Sequence, residues 1–283
     1  MVGWERGDVA KLTAIVCVQN QETILDACLK KLSFCDEVVV VADRCTDRSQ
    51  EIARRHGAVV IDGIFPLESQ RKLAGVEAAS SQWILEVEPD DLIDAAVAWE
   101  IRAAIQMRPV GDWYDLPIDN YVGETLVREG WAGALSARRE ARLFKRGLKA
   151  WEPRRLNAPY VLAGAPGGSL KGAIRRVVGR DVGGLMERLH RLTGLAAEDL
   201  ADAGRAKGLV SSLLAAAATF IAAYVVRRGF REGRLGFLVA GLSAMFPVLS
   251  QMRAAEVVQA RKAAVAAEET RAARPRNVVG LGR

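Results

Sequence analysis

The chain has 283 residues, half of them hydrophobic, and a formal net charge of +6. That length and apolar share suffice for one sizeable core with a small appendage and exclude disorder throughout. The four cysteines (Cys17, Cys28, Cys35, Cys45) lie in or near apolar runs without C-x-x-C spacing, which argues against a zinc knuckle or a disulfide framework and for a reducing cytoplasm.

The opening "MVGWERGDVAKLTAIV" carries charges of both signs and no long apolar stretch, so it does not read as a secretory signal. "LTAIVCV" is a β-rich run, and "ETILDACLKKL" follows with Ile24, Leu25, Cys28 and Leu32 at helical spacing. "EVVVVAD" is a continuous β-branched run, typical of a strand buried on both faces. Thr46 and Asp47 can cap "DRSQEIARRHG", which stops at Gly57. "AVVIDG" reads as a third strand, "SQRKLAGVEAA" as a third helix and "QWILEVE" as a fourth strand. This rhythm predicts an α/β fold with a doubly wound, mostly parallel sheet, whose ligands sit outside the carboxyl ends of the strands.

Three polar clusters fall at such ends: Gln19-Asn20-Gln21-Glu22, Asp43-Arg44-Cys45-Thr46-Asp47 and Glu88-Pro89-Asp90-Asp91. No G-x-G-x-x-G or P-loop pattern follows the first strand, which lowers the odds of a dinucleotide or P-loop site. Acids after a strand also serve simply to begin a helix. On that reading Asp91 starts the next helix and Asp47 is a cap. His56 reads as a solvated helix end and His190 as a structural helix residue.

"VCVQNQE", "EVVVVADRCTDRSQEIARRHGA", "ESQRKLAG", "WILEVEPDD" and "ARLFKRG" stand in an order that resembles inverting family 2 glycosyltransferases of the GT-A fold. "LMERLHRLTGLAAEDLADAGR" and "YVVRRGFREGRLGFLVAGLSAMFPVLSQMRAAE" look like the C-terminal part of the lipopolysaccharide-core glucosyltransferase type within that family. The resemblance implies donor-binding roles for Asn20, Glu22, Asp43, Glu88, Asp90 and Arg142 and for a basic residue of the third helix that falls at Arg71 or Lys72, with Gln21 an alternative to Glu22. It puts Glu88-Pro89-Asp90 in the place of Asp-x-Asp and makes Asp90 the ligand of a Mg²⁺ or Mn²⁺ ion, which neutralises the charge of a pyrophosphate leaving group. Glu152, in "AWEPRR", takes the place of the catalytic base, with Trp151 where the family often has histidine. Arg175-Arg176 stand where His-Tyr often follows "LKG-x-x". The implied partners are a nucleotide-sugar donor, most plausibly a UDP-sugar, and a lipid-linked glycan acceptor.

The basic surplus is C-terminal: residues 203–283 hold 13 Lys and Arg against four Glu, +9, which leaves −3 for the rest. That region also carries the apolar runs 209–226 and 235–250, joined by "RRGFREGR". Both are marginal as membrane spans, being rich in Ala and Ser or carrying Pro247. Helices lying in the interface fit better, with Arg227, Arg228, Arg231 and Arg234 meeting the phosphates of anionic inner-membrane lipids. The rival is a soluble or subunit-bridging helical bundle. No base-reading motif accompanies the charge, which argues against nucleic acid.

The expected organisation is a GT-A donor-binding and catalytic domain over 1–150, an acceptor-side segment over 151–202, membrane-associated helices over 203–256, and a frayed helix with a disordered basic tail over 257–283. Such a chain is expected on the inner face of the bacterial cytoplasmic membrane, peripheral or monotopic, alone or as a homo-oligomer. Two alternatives stay open: a polyprenyl-phosphate glycosyltransferase with the same core, and a catalytically silent membrane scaffold.

Overall fold

The computed structural model describes residues 10–107, 109–132, 135–205 and 208–272. The expected disordered tail beyond residue 272 and the N-terminal nine residues lie outside the described part.

The first half alternates as the sequence suggests. It runs β1 (Leu12–Val18), α1 (Glu22–Lys30), β2 (Glu37–Asp43), α2 (Ser49–Arg55), β3 (Val59–Gly63), α3 (Glu68–Ala78) and β4 (Trp83–Val87). Side chains of a strand alternate between faces. On β1, Leu12, Ala14, Val16 and Val18 pack with Leu25 and Cys28 of α1 and Ile52 of α2. Ile15, between them, meets Val76 of α3 on the opposite face. Helices therefore cover both sides of the sheet, and residues 14–18 of β1 and 38–42 of β2 are apolar on both faces for that reason. Gly75 lets α3 approach closely: a Cβ there would lie 2.4 Å from Ile15 Cγ2 and 3.2 Å from Val41 Cγ2.

After β4 the chain departs from simple alternation. Asp91 does not start a helix. It belongs to the two-residue strand β5 (Asp91–Leu92), is 1% exposed, and accepts the Glu88 N–H at 2.8 Å. Asp94 caps α4 (Ala95–Gln106) instead, accepting the Val97 N–H at 2.8 Å.

Then come β6 (Trp113–Val122), β7 (Thr125–Leu126), β8 (Arg139–Lys145), β9 (Lys149–Trp151), β10 (Tyr160–Leu162), β11 (Pro166–Ser169) and β12 (Ile174–Gly179). The main strand order is β3-β2-β1-β4-β8-β6-β12-β5, with β9 and β10 forming a separate ribbon. The β3, β2, β1 and β4 pairs are parallel, β8 runs antiparallel to both β4 and β6, and β6 and β12 are again parallel.

Two registers place charge. Leu85 opposite Leu143 brings the neighbouring Glu86 and Arg142 to one edge, and Arg176 sits opposite Asp91.

The C-terminal region is helical: α5 (Val182–Asp202), α6 (Leu209–Ile221) with a π-helical extension over Ala222–Val226, a 3₁₀ turn over Gly229–Glu232, and α7 (Gly233–Ala272). The last passes through Pro247 and continues well beyond residue 257, where fraying is expected. It packs against α5 and α6.

Leu209–Val226 has a mean hydropathy of 2.1 with 11% of the segment buried, and a window within Gly229–Glu268 reaches 1.6 with 33% buried; both are long and apolar enough to cross a membrane. Leu213, Leu214, Val226 and Phe237 are all exposed.

The connector between the helices is tied to the sheet domain. Gly130 (φ +83°) leaves no room for a side chain, since a Cβ there would lie 2.9 Å from Gly229 Cα. Glu232 accepts the N–H groups of Arg128 and Glu129, each at 3.0 Å.

Candidate active site

The loops after β1 and β2 are knitted together by their own polar residues. Asn20 adopts φ +53°, and its Oδ1 accepts the Thr46 N–H at 2.7 Å. Asn tolerates this left-handed conformation better than most residues. Asp47 accepts the Glu22 and Ser49 N–H groups at 2.9 and 3.0 Å, and Glu22 in turn accepts the Arg48 N–H at 3.0 Å. Asp43 is wholly buried and filled by Arg44 (2.8 Å to each oxygen), Arg71 (3.0 Å) and the Phe65 N–H (2.9 Å). Burial raises its carboxyl, but the Arg44 and Phe65 hydrogen bonds and the arginine charges outweigh that and hold it below the ordinary value. Asn20, Glu22 and Asp43 thus shape the edge rather than facing the cavity beside it.

That cavity, about 860 Å³, opens at the carboxyl ends of β1 and β4 and is walled on the far side by α5. Gln19, Gln21, Arg71, Lys72, Glu88, Asp90 and Arg142 line it. The structure therefore brings five of the expected donor-site residues to one space and adds both glutamines of the first cluster.

Its charges form a layered network. Arg142, 3% exposed, bonds Asp91 at 2.6 Å and Glu140 at 2.5 Å, and lies 3.8 Å from Glu88. Arg176 donates to Asp91 Oδ1 at 2.8 Å. Asp90 accepts from Arg188 at 2.7 Å and lies 3.6 Å from Arg176. Burial raises the Glu140 carboxyl, but the Arg142 and Arg176 charges outweigh it and leave it at about 2.

Glu86 is buried with Lys149, whose ammonium it holds closely, and with Lys72 at 3.5 Å. Burial pushes Glu86 up, yet the two ammonium groups keep it below the ordinary glutamate range. Cys17 also lines the wall, but burial, then Glu88, push its thiol to about 12, so it is no nucleophile at neutral pH.

Among the described residues on the cavity wall, ten are Lys or Arg and five are Asp or Glu. A surplus of this sign suits a polyanion. It does not suit a resident Mg²⁺ or Mn²⁺. The expected ligand Asp90 is already engaged by one guanidinium and flanked by another, and Glu88 faces a third. Among the described residues no group of three His, Cys, Asp or Glu is placed to hold a metal ion.

The base expected at Glu152 is not brought to this site. Glu152 is exposed at the turn after β9, its N–H donates to the Pro159 carbonyl at 2.7 Å, and the cavity is lined from this segment by Asn157, Ala158 and Pro159.

No family model matches the chain. Solved structures that it resembles include glucosyl-3-phosphoglycerate synthase from Mycobacterium tuberculosis in complex with Mg²⁺ and uridine diphosphate. That match has a TM-score of 0.33 and 15% identity, and covers 42% of this chain and 48% of that one. The same synthase with Mn²⁺, uridine diphosphate and glucosyl-3-phosphoglycerate gives 0.37 and 16%, covering 52% and 62%. The chain thus spans about half to three fifths of the length of these proteins, and likeness at this level assigns no activity.

Several cavity residues escape a sequence reading. Arg188 and Arg191 are three apart on α5, as are Leu192 and Leu195, and all four line the cavity. Their spacing is the one signal that could find them. Arg227, expected to meet lipid, instead donates to the Trp131 carbonyl and reaches the cavity. His56 is not simply solvated, because its Nε2 pairs with Asp26 at 2.9 Å.

Proposed function

We propose that this chain is an inverting, family 2 type glycosyltransferase of the GT-A fold that moves a sugar from a nucleotide-sugar donor, a UDP-sugar foremost, to a lipid-linked glycan. The observation that carries this reading is the convergence of Gln19, Gln21, Arg71, Lys72, Glu88, Asp90 and Arg142 on one polyanion-suited cavity at the carboxyl edge of the sheet.

In the proposed reaction the acceptor hydroxyl attacks the anomeric carbon as the bond from that carbon to the diphosphate oxygen breaks. The hydroxyl proton passes to a carboxylate, and the electron pair leaves with the diphosphate. Among the described carboxylates on the wall, Glu88 is the least engaged: its side chain is 41% exposed and the nearest cation stands 3.8 Å away. Glu68, Glu86, Asp90 and Glu140 each hold a cation at shorter range. Glu88 is therefore the proton acceptor in this reading, with the glutamines toward the nucleoside and the arginines toward the diphosphate.

The far wall supports a lipid-linked acceptor. Leu192 and Leu195 of α5, and Arg227 of the connector, line the same cavity. The exposed apolar sides of α6 and α7 belong to that helical unit. A glycan anchored in a bilayer, such as a lipopolysaccharide core, would reach the cavity from the side on which these helices rest on the cytoplasmic face of the membrane.

A panel of nucleotide sugars tests this by thermal shift and by release of nucleoside diphosphate, since a ligand that binds only the folded state raises its apparent stability. Stabilisation by one nucleotide series, and transfer to a lipid-linked glycan in extract, is expected. A panel with neither stabilisation nor turnover would leave a silent scaffold as the better reading, and sugar found on a polyprenyl phosphate would move the acceptor to that class.

A further inference from the structure

The geometry points to an arginine clamp, with Arg191 at its centre, that binds the diphosphate of the donor without a divalent cation. The inference rests on the nucleotide-sugar reading of the cavity and adds to it the means of charge neutralisation.

Arg191 lines the cavity from α5 and, among the described residues, has no carboxylate within ion-pair distance and no hydrogen-bond partner. Its neighbour one turn earlier, Arg188, is spent on Asp90. Across the cavity, Arg71 reaches Asp43 through Nη1 alone, and its Nε is buried without a partner. A buried donor left without an acceptor is costly unless a ligand supplies one. Arg191 is exposed to solvent, so its guanidinium is open to a ligand. The crowding of the cavity wall around it, then the Arg188 charge, pull it below the ordinary guanidinium value, the direction that an added anion would reverse.

The same arrangement works against a metal. A doubly charged ion at Asp90 must displace Arg188 and then stand beside Arg176, with Arg142 facing the adjacent Glu88. Like charges at such range repel strongly in a partly desolvated site. A planar guanidinium, in contrast, meets two phosphate oxygens at once, and it is weakly hydrated, so little is lost when water leaves. As the bond to the sugar breaks, the growing negative charge on the diphosphate falls between Arg191 and Arg71, and no further reactant is required.

The full chain, stripped with EDTA, is titrated calorimetrically with UDP, GDP, ADP and inorganic pyrophosphate, and again with Mn²⁺ present. At least one nucleotide is expected to bind in EDTA with a Kd within about threefold of its Mn²⁺ value, and Arg191→Gln to weaken it by about tenfold or more while leaving the matching nucleoside unaffected. Arg191→Lys, which keeps the charge but not the fork, should recover only part of the loss. Binding that appears only with Mn²⁺, and vanishes in Asp90→Asn, overturns the clamp but leaves the nucleotide site standing. Unchanged diphosphate affinity in Arg191→Gln overturns Arg191's part. No nucleotide binding under either condition overturns both the clamp and the reading beneath it.

Discussion

At the scale of single residues, the carboxylates at the end of β4 divide their work by what already surrounds them. Asp91 is fully buried and joins two arginines, themselves 3% and 4% exposed, that no other acid among the described residues holds in common. Removing one member of a buried ion group leaves the others charged and unpaired. Asp91→Ala is expected to cost roughly 3–5 kcal/mol in a urea titration. Glu88, three residues earlier and far more open, should behave in the opposite way: Glu88→Gln is expected to keep the fold and lower the rate of transfer about 10²- to 10⁴-fold. Steady-state kinetics alongside a melting curve separate the two effects. An equal loss in Glu152→Gln, with Glu88→Gln active, would return the proton to the residue that the sequence resemblance first suggests.

At the scale of elements, α3 shows how backbone contact aims side chains. Its Gly75 packs against Ile15, and Arg71 and Lys72 stand one turn before it on the cavity wall. Ala in a helix is favoured over Gly by about 1 kcal/mol, but the 2.4 Å approach to Ile15 leaves no space for a methyl group. Overpacking of that kind costs about 1–3 kcal/mol, so Gly75→Ala is expected to be net destabilising and to weaken nucleotide binding with it, both measurable by thermal shift with and without ligand.

The elements up to β4 are legible in the sequence because their signals are local: unbroken β-branched runs, helical spacing, a glycine stop. The start of α4 is not, because Asp91 and Asp94 are equally good caps by type. Only the pairing of β5 with β12, distant in the chain, decides that Asp91 is drawn inward. The arginines of α5 are hidden for the same reason, since a helix face acquires meaning only when the helix docks. Asp43 shows the same dependence in reverse, as an acid at a strand end whose partners, Arg71 and the Phe65 N–H, come from later segments.

At the scale of the whole molecule, the cationic cavity does not draw on the basic C-terminal region: of the cations on its wall among the described residues, only Arg227 comes from beyond residue 202, and the rest belong to the part of the chain whose net charge is negative. If α6 and α7 rest in a lipid surface, charge placed on their exposed side will release them. Leu213→Glu with Leu214→Glu, both outward-facing, is expected to leave the melting temperature nearly unchanged and to reduce co-sedimentation with anionic vesicles at least about tenfold. Unaltered binding to vesicles would favour a helical bundle that meets another protein chain.

The contact between Gly130 and Gly229 gives that arrangement its dimension. Two backbones touching where neither residue has a side chain, with Glu232 fastening the adjoining amides, leave the helices little freedom to swing against the sheet. On a bilayer the molecule would then act as a gauge of fixed height. If the proposed transfer to a lipid-anchored glycan holds, the attacking hydroxyl would have to stand at one distance above the lipid headgroups, so a glycan one or two sugars too long would be passed over by reach alone, before any contact with its sugars could discriminate.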